Sequence, residues 1–207
     1  QMYYTRPLEP VQPVMSDEVR QKHEASKRKY PKLNLSEGEY VIRDVRRHPI
    51  GLFQIWFFVL IIIAAIVSLL TVYLSSDFSQ GTAPIPAVVL GGIVLLVSML
   101  ALIGGYIGTF VYTANRFYLT NESVIQNIQE SLFSNREQTV SLGNIEDASY
   151  TKQGIIQSIL NYGQIRLSTQ GDETTYRFSY ASEPAKQVSD LNNAVEAFKN
   201  GRPVAHH

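Results

Sequence analysis

The sequence predicts a two-helix membrane hairpin joined to a small α+β domain, a barrel or roll of antiparallel strands closed by a C-terminal helix. Two long apolar runs predict the hairpin, because Asp77 is the single charged residue between Ile50 and Tyr112. The domain is predicted by a change of pattern after the second run, to short alternating segments followed by one helical stripe.

Charge and cysteine content exclude several classes of protein. The 207 residues carry 18 Lys+Arg and 18 Asp+Glu, and this neutral balance argues against nucleic acid as the main partner. The absence of cysteine from the sequence excludes a disulfide framework, a thiolate metal site and a cysteine nucleophile.

The first 36 residues are predicted to form a tail with one short polar helix. Pro7, Pro10 and Pro13 recur every third residue, which suits polyproline II, either in an irregular tail or in a docking peptide. Residues 16–30 begin with a capping serine and two acids and end with a basic cluster, as the helix dipole favours. This helix lacks an apolar face, so we expect it to be solvated or bound to a partner. Its basic end, together with Lys32, could also touch anionic lipid headgroups.

Residues 50–112 are predicted to be the membrane hairpin. Residues 50–74 and 85–112 are uncharged runs of 25 and 28 residues. At about 1.5 Å per residue, a helix of either length spans a hydrocarbon core of ~30 Å. The short polar segment between the runs suits a tight re-crossing. The alternative is a buried helical hairpin in a soluble protein.

Arginines predict the orientation of the hairpin. Arg43, Arg46 and Arg47 precede the first span, Arg116 follows the second, and the connecting loop has no Lys or Arg. By the positive-inside rule, both chain ends of a multi-pass membrane protein are expected to lie in the cytoplasm. These four arginines are the candidate lipid-headgroup contacts. Aromatic residues near the cytoplasmic ends of the spans are expected to form an interfacial belt: Phe53, Trp56, Phe57, Phe58, Phe110, Tyr112, Phe117 and Tyr118.

Small residues in the second span predict close helix packing. Gly104, Gly105 and Gly108 contain a GxxxG pair, which suits contact within the hairpin or between copies of the chain. Neither span contains Asp, Glu, Lys, Arg or His, which favours an anchor over a transport pathway. The rival interpretation is a small homo-oligomeric transporter or pore, with a water-lined face formed by Ser68, Thr71, Ser98 and Thr109.

The segment after the hairpin, residues 113–200, is predicted to be a cytoplasmic domain, followed by a tail at 201–207. Alternation and turn signals predict strands at 118–121, 123–128, 138–142, 145–151, 164–169 and 174–180, with a short helix within 153–160. Gly171 and Asp172 mark the turn of the last strand pair. Residues 183–200 change to a helical period, with Pro184 in the first turn and Gly201 as the C-terminal cap.

Three fragments carry a resemblance to a known family: EGEYVIRDVRRHP at 37–49; YLTNESVI at 118–125 followed by SLFS at 131–134; and VSLGNIEDA at 140–148 with LNYGQIRL at 160–167. Their order around a two-helix hairpin resembles the bacterial pleckstrin-homology-like membrane family (bacterial PH domain), which includes YdbS-like proteins. The resemblance covers roughly residues 37–199. It implies a pleckstrin-homology-like fold in which residues 37–49 form a strand that joins the cytoplasmic domain, with the hairpin inserted in one folded unit.

Ligand-binding and catalytic signals are weak. A phosphoinositide site is not expected, because phosphate recognition needs clustered Lys and Arg. The turn at 120–123 holds an acid and no base, and residues 113–207 carry eight Lys+Arg against ten Asp+Glu. The sequence has no recognisable metal-binding motif, phosphate loop or nucleophile elbow, and His23, His48, His206 and His207 are scattered. We therefore expect no catalytic residue, no metal and no cofactor.

The sequence thus favours a non-enzymatic, membrane-anchored protein-interaction module, acting as a scaffold or accessory subunit at the cytoplasmic face. Its expected partners are membrane lipids and a membrane or cytoplasmic protein, or a second copy of the chain, recruited by an exposed sheet edge. Besides the pore, the alternative is an anionic-lipid sensor acting through the basic segment next to the first span.

Overall fold

The computed structural model describes residues 15–75, 85–169 and 175–204. Its helices are α1 (Asp17–Lys29), α2 (Ile50–Ser75), α3 (Ala87–Ala114), α4 (Gly154–Ile159) and α5 (Pro184–Lys199). Its strands are β1 (Val41–Arg46), β2 (Arg116–Thr120), β3 (Ser123–Gln129), β4 (Asn135–Ser141), β5 (Ile145–Thr151), β6 (Tyr162–Thr169) and β7 (Thr175–Ser182). The proline-rich start, the loop around Asp77, the turn at Gly171 and Asp172, and the two terminal histidines lie outside the described residues.

Helices α2 and α3 pack against each other as a helical hairpin. Both are long and apolar enough to cross a membrane, by length and composition. Large apolar side chains along both helices are exposed, Leu69, Val88 and Leu95 among them. Rows of exposed apolar side chains on this scale mark a surface that contacts something other than water.

The strands form two antiparallel sheets. The first sheet has the order β1-β2-β3-β4 and the second has the order β5-β6-β7. An isolated bridge between Arg47 and Ala181 joins the sheets at one corner. The predicted barrel or roll is therefore a pair of sheets and not a closed barrel. Strand β1 precedes the helical hairpin and pairs with β2, which follows it, so the hairpin is inserted between neighbouring strands of one sheet.

The direction of the strands gives the domain two ends. Arg46 and Arg116 are paired across β1 and β2, and each lies within a few residues of the helical hairpin. We call this side of the domain the hairpin end. Strand β2 runs away from it and β3 returns, so the β3–β4 turn also lies at the hairpin end. The turn at 121–122 lies at the opposite, far end.

Apolar side chains from both sheets and α5 form the core. Its members include Phe117, Leu119, Leu142, Ile145, Ile165, Leu167, Phe178 and Leu191. Complete burial of one such side chain contributes about 1.5–3 kcal/mol. Phe117 and Tyr118 were expected in an interfacial belt, and this expectation is wrong: both are buried within the domain, because β2 begins directly after α3 and takes them into the sheet.

Helix α1 is attached to the domain by polar contacts. Ser16 caps it by accepting a hydrogen bond from the Val19 amide. His23 Nδ1 lies 2.6 Å from the Glu39 carbonyl oxygen, and Ser26 Oγ accepts from the Val41 amide at 3.0 Å. This helix was expected to be solvated or partner-bound. It packs instead on the start of β1, where hydrogen bonds replace the apolar face that it lacks.

Candidate binding surfaces at the hairpin end

A cation lies at the junction between the helical hairpin and the domain. The guanidinium carbon of Arg47 is 5.3 Å from the ring centroid of Tyr112 in α3 and 5.8 Å from that of Phe178 in β7. Burial lowers the pKa of Arg47, but a guanidinium stays charged in proteins. The charge therefore forms cation–π contacts that join the two parts of the chain.

His48 continues this junction into the first turn of α2. Its amide donates to the Tyr180 carbonyl at 2.6 Å, and its own carbonyl accepts from the Tyr112 hydroxyl at 2.7 Å. The His48 ring is stacked on Tyr162, which starts β6, with 5.1 Å between ring centroids. Because β6 starts beside His48, the connection that contains α4 also lies at the hairpin end.

Gly51 is a junction residue that no sequence signal identified. A Cβ at this position would overlap the ring of Tyr112, well inside van der Waals contact. The glycine thus lets α2 and α3 approach closely where they join the domain.

The structure separates the four predicted headgroup arginines into two pairs. Arg43 forms an ion pair with Asp190 of α5, and Arg47 lies in the aromatic junction. Arg46 and Arg116 share the carboxylate of Asp44, at 3.1 and 3.4 Å. The Arg46 side chain is 66% exposed and that of Arg116 is 34% exposed, so this pair remains accessible at the hairpin end.

The structure also separates the three predicted packing glycines. A Cβ at Gly105 would lie 2.9 Å from Val59 Cγ2, and one at Gly108 would lie 3.4 Å from Ile55 Cγ2. A Cβ at Gly104 would have no neighbour within 4 Å among the described residues. Gly105 and Gly108 therefore face α2, and Gly104 does not.

A cavity of about 360 Å³ lies between α5 and the first sheet, but Arg43 and Asp190 in its wall are already paired with each other. A second cavity, which we call the Arg116 cavity, lies at the hairpin end and measures about 310 Å³. Its wall consists of Lys29, Tyr30, Pro31, Lys32, Leu33, Phe110, Ala114, Arg116, Tyr118, Asn127, Gln129 and Asn135. Three of these side chains are cationic and three carry amides, and among the described residues none in the wall is acidic. Burial, and secondly the charge of Asp44, raises the pKa of Tyr118, so its hydroxyl is a neutral hydrogen-bonding group.

Two carboxyl groups, those of Glu39 and Glu122, lie at the turn at 120–123, at the far end of the domain. Glu39 is 3% exposed and accepts hydrogen bonds from the Ser36 amide at 2.9 Å and from the hydroxyls of Thr120 and Ser123. Burial, followed by the charge of Glu39, raises the pKa of the neighbouring Glu122. The turn is therefore stabilised from within by one acid and carries a second beside it.

Two apolar projections lie at the hairpin end. Ile155 and Ile159 of α4 are 77% and 74% exposed, and Phe133 in the β3–β4 turn is 97% exposed. The sequence predicted α4 as a short helix, and the turn contains residues 131–134, which belong to one of the fragments that carry the family resemblance. Neither prediction indicated that α4 or the turn would expose apolar side chains.

Across residues 15–75, 85–169 and 175–204, His, Asp and Glu do not gather in a group of three that could hold a metal. His23 is engaged with the Glu39 carbonyl, and His48 Nδ1 lies 3.2 Å from the Ile50 amide. The arrangement is suited to binding, with cations, amides and apolar side chains concentrated at one end.

An apolar helical hairpin followed by antiparallel sheets and a C-terminal helix defines a pleckstrin-homology-like protein with an inserted hairpin. The family described as "Bacterial PH domain" matches residues 49–195, most of the chain. The chain belongs to this family, as the sequence fragments predicted.

Comparison with individual proteins adds one structure. The chain is similar to a crystallised DUF1696 family protein with a pleckstrin-homology domain from Shewanella loihica PV-4, with 13% identity and a TM-score of 0.31. The similarity covers 41% of this chain and 69% of that one. No curated protein matches the chain.

Proposed function

We propose that this protein is a non-enzymatic binding module, anchored in the bacterial cytoplasmic membrane by its helical hairpin and acting as a scaffold or accessory subunit. The length and composition of α2 and α3 support the anchor. The distribution of Lys and Arg around the spans supports a cytoplasmic position for the domain and both chain ends.

The observation that carries the proposal is the edge of the first sheet. Within the described residues, β4 pairs with a strand on one side only, and the side chains of Asn135, Arg136, Glu137 and Thr139 are exposed. The backbone groups of such an edge can pair with an extended segment of another protein. Because β1 and β2 continue directly from the helical hairpin, a partner bound to β4 would be held at a fixed place beside the anchor.

Site-specific crosslinking in native membranes tests this proposal. A photoreactive amino acid at Arg136 should give a discrete crosslinked species, which mass spectrometry can identify. The matched control is the same amino acid at Ser189, which is exposed on α5. A heteromeric partner captured at position 136 alone is expected. Equal capture at both positions, or capture at neither, would contradict recruitment by β4.

Hydrogen bonding within the spans favours the anchor over the pore. The hydroxyls of Ser68, Thr71 and Thr109 donate to carbonyls of their own helices, at 2.7, 2.8 and 2.9 Å. These groups are satisfied without water or a neighbouring subunit. We expect no ion or solute flux from the purified protein in liposomes.

A further inference from the structure

We propose that the Arg116 cavity binds the phosphate group of an anionic glycerophospholipid from the cytoplasmic leaflet. This inference rests on the membrane anchoring proposed above. The cavity shares only Asn135 with the β4 edge, and its cationic side chains come from α1, the segment that follows α1, and β2. Lipid phosphate, held here by side chains of α1, α3 and the first sheet, would fix the domain against the membrane surface.

The position of the cavity matches the depth of a headgroup. Phe110 and Ala114, which form part of its wall, belong to the last turns of α3. When α3 crosses a bilayer, these turns lie at the boundary between acyl chains and headgroups. Phe133, almost fully exposed, projects from the turn that precedes Asn135 on the same wall. An apolar side chain at this level can enter the interface beside the bound lipid.

The charge of the cavity matches a phosphate. Lys29, Lys32 and Arg116 provide ammonium and guanidinium donors, which form strong charge-assisted hydrogen bonds to phosphate oxygens. Asp44 pairs with Arg116 from the neighbouring strand, but it is shared with Arg46, so cations remain in excess. The Lys29 ammonium lies 5.3 Å from the Tyr30 ring centroid, a cation–π contact that holds it beside the cavity.

The remaining wall residues favour a lipid over a free phosphate. Pro31, Leu33 and Phe110 give one part of the wall an apolar surface that suits the start of an acyl chain. In the polar part, the backbone of Gln129 is held in place, because the Asn115 side chain at the end of α3 donates to the Gln129 carbonyl at 3.0 Å and accepts from the Gln129 amide at 3.2 Å. A neighbouring cavity between α1 and β1 also contains lysines, but its wall includes Asp44, and its Arg43 is paired with Asp190.

Titration of the full-length protein with lipid, followed by native mass spectrometry, tests the proposal. The site variant is Lys29→Gln/Lys32→Gln. The matched control is Lys27→Gln/Arg28→Gln, which removes the same charge near the same end of α1 from residues outside the cavity wall. We expect the wild type and the control to bind phosphatidylglycerol in preference to phosphatidylcholine with the same acyl chains. The site variant should lose about tenfold in affinity for phosphatidylglycerol.

Two outcomes would overturn the assignment of the cavity. One is unchanged phosphatidylglycerol affinity in the site variant, and the other is an equal loss in the control, which would indicate general charge attraction. Soluble glycerol 1-phosphate, added at the lipid concentration, is expected to leave the bound lipid in place. Displacement by this competitor would assign the cavity to a soluble phosphate compound instead.

Carbonate extraction of native membranes separates the cavity from the anchor. The wild type and both variants should remain in the membrane fraction. Release of the wild type would contradict the anchoring, and with it the leaflet as the source of the ligand. If the wild type remains in the membrane fraction but shows no preference for phosphatidylglycerol, the lipid site in the Arg116 cavity is contradicted and the anchoring is not.

Discussion

At the scale of single residues, Gly51 is a position where the structure leaves no room for a side chain. The Tyr112 ring occupies the space that a Cβ would need, and its hydroxyl bonds to the His48 carbonyl. We expect Gly51→Ala to lower the free energy of unfolding by about 1–3 kcal/mol, because the ring must move or the helices must separate. Thermal unfolding of the purified protein in detergent measures this effect.

Gly91→Ala is the matched control for that substitution. A Cβ at Gly91 would have no described neighbour within 4 Å, and alanine is the better helix former. This variant should be neutral or slightly more stable than the wild type. Equal destabilisation by both substitutions would show that the close approach of α2 and Tyr112 does not matter.

Glu122 links stability to pH. Burial, and then the charge of Glu39, raises the pKa of Glu122 above its ordinary value of 4.5, so the folded state binds this proton more tightly than the unfolded state. The stabilising effect of the proton is complete below the unfolded pKa and is lost as pH rises through the folded pKa. Glu122→Gln should therefore raise the midpoint of thermal unfolding at pH 7.

The gain from Glu122→Gln should disappear when the pH falls below about 4, where the wild-type carboxyl is also neutral. Glu137→Gln, at an exposed position of β4, controls for the loss of one carboxyl group. A Glu122→Gln protein that is less stable than the wild type at pH 7 would refute this account of the turn.

The partners of individual side chains could not be predicted from the sequence. The four arginines near the spans looked equivalent from their positions, and they were all predicted to contact headgroups. Arg43 differs from the others because it pairs with Asp190 of α5, which lies near the C-terminal end of the sequence. A local pattern cannot show such a pairing, because it exists only after the sheets and α5 have packed together.

At the scale of secondary structure, alternation and turn signals predicted the strands and helices of the domain well. The differences occur where glycine or polar residues take part in strand pairing. The strand predicted at 164–169 begins two residues earlier in the structure, because β6 starts at Tyr162. A Cβ at Gly163 would lie 2.5 Å from the Thr151 carbonyl oxygen, so glycine here permits close pairing with β5. Strand β4 likewise starts at Asn135, within a polar segment without an apolar alternation.

Helix α4 has a testable place in the proposed arrangement. Its isoleucines project from the hairpin end, where α2 and α3 would enter the bilayer, and we expect them to lie in the interface. Because the sequence has no cysteine, single spin labels can be introduced at Ile155 and, as a control, at Ser189. In liposomes, the label at 155 should be accessible to oxygen and shielded from an aqueous nickel reagent, with the reverse at 189. Equal accessibility at both sites would place α4 in water.

At the scale of the whole molecule, strand pairing constrains how the chain can cross a membrane. Strand β1 leads into α2, α3 leads into β2, and β1 pairs with β2. The entry and the exit of the helical hairpin must therefore lie on the same side. This constraint is independent of the charge distribution, which predicts the same topology.

Cysteine labelling tests that topology. Lys27→Cys and Ser189→Cys should react with a membrane-impermeant maleimide only after the membrane is opened, and Asp77→Cys should react in intact spheroplasts. The background is clean, because the chain has no cysteine of its own. Labelling of positions 27 and 189 from opposite sides would contradict both the charge rule and the pairing of β1 with β2.

The position of β1 has a consequence for biogenesis. During synthesis, Val41 leaves the ribosome long before Thr120, its partner across the first sheet, because the whole helical hairpin lies between them. In the proposed topology, strand β1 would wait unpaired until both spans are inserted and the chain has returned to the cytoplasm. A chain that inserted one span alone would leave β1 and β2 on opposite sides of the membrane, with an unfolded domain open to proteases. If the proposed topology holds, folding of the domain would report correct insertion, and quality control could remove the chains that fail.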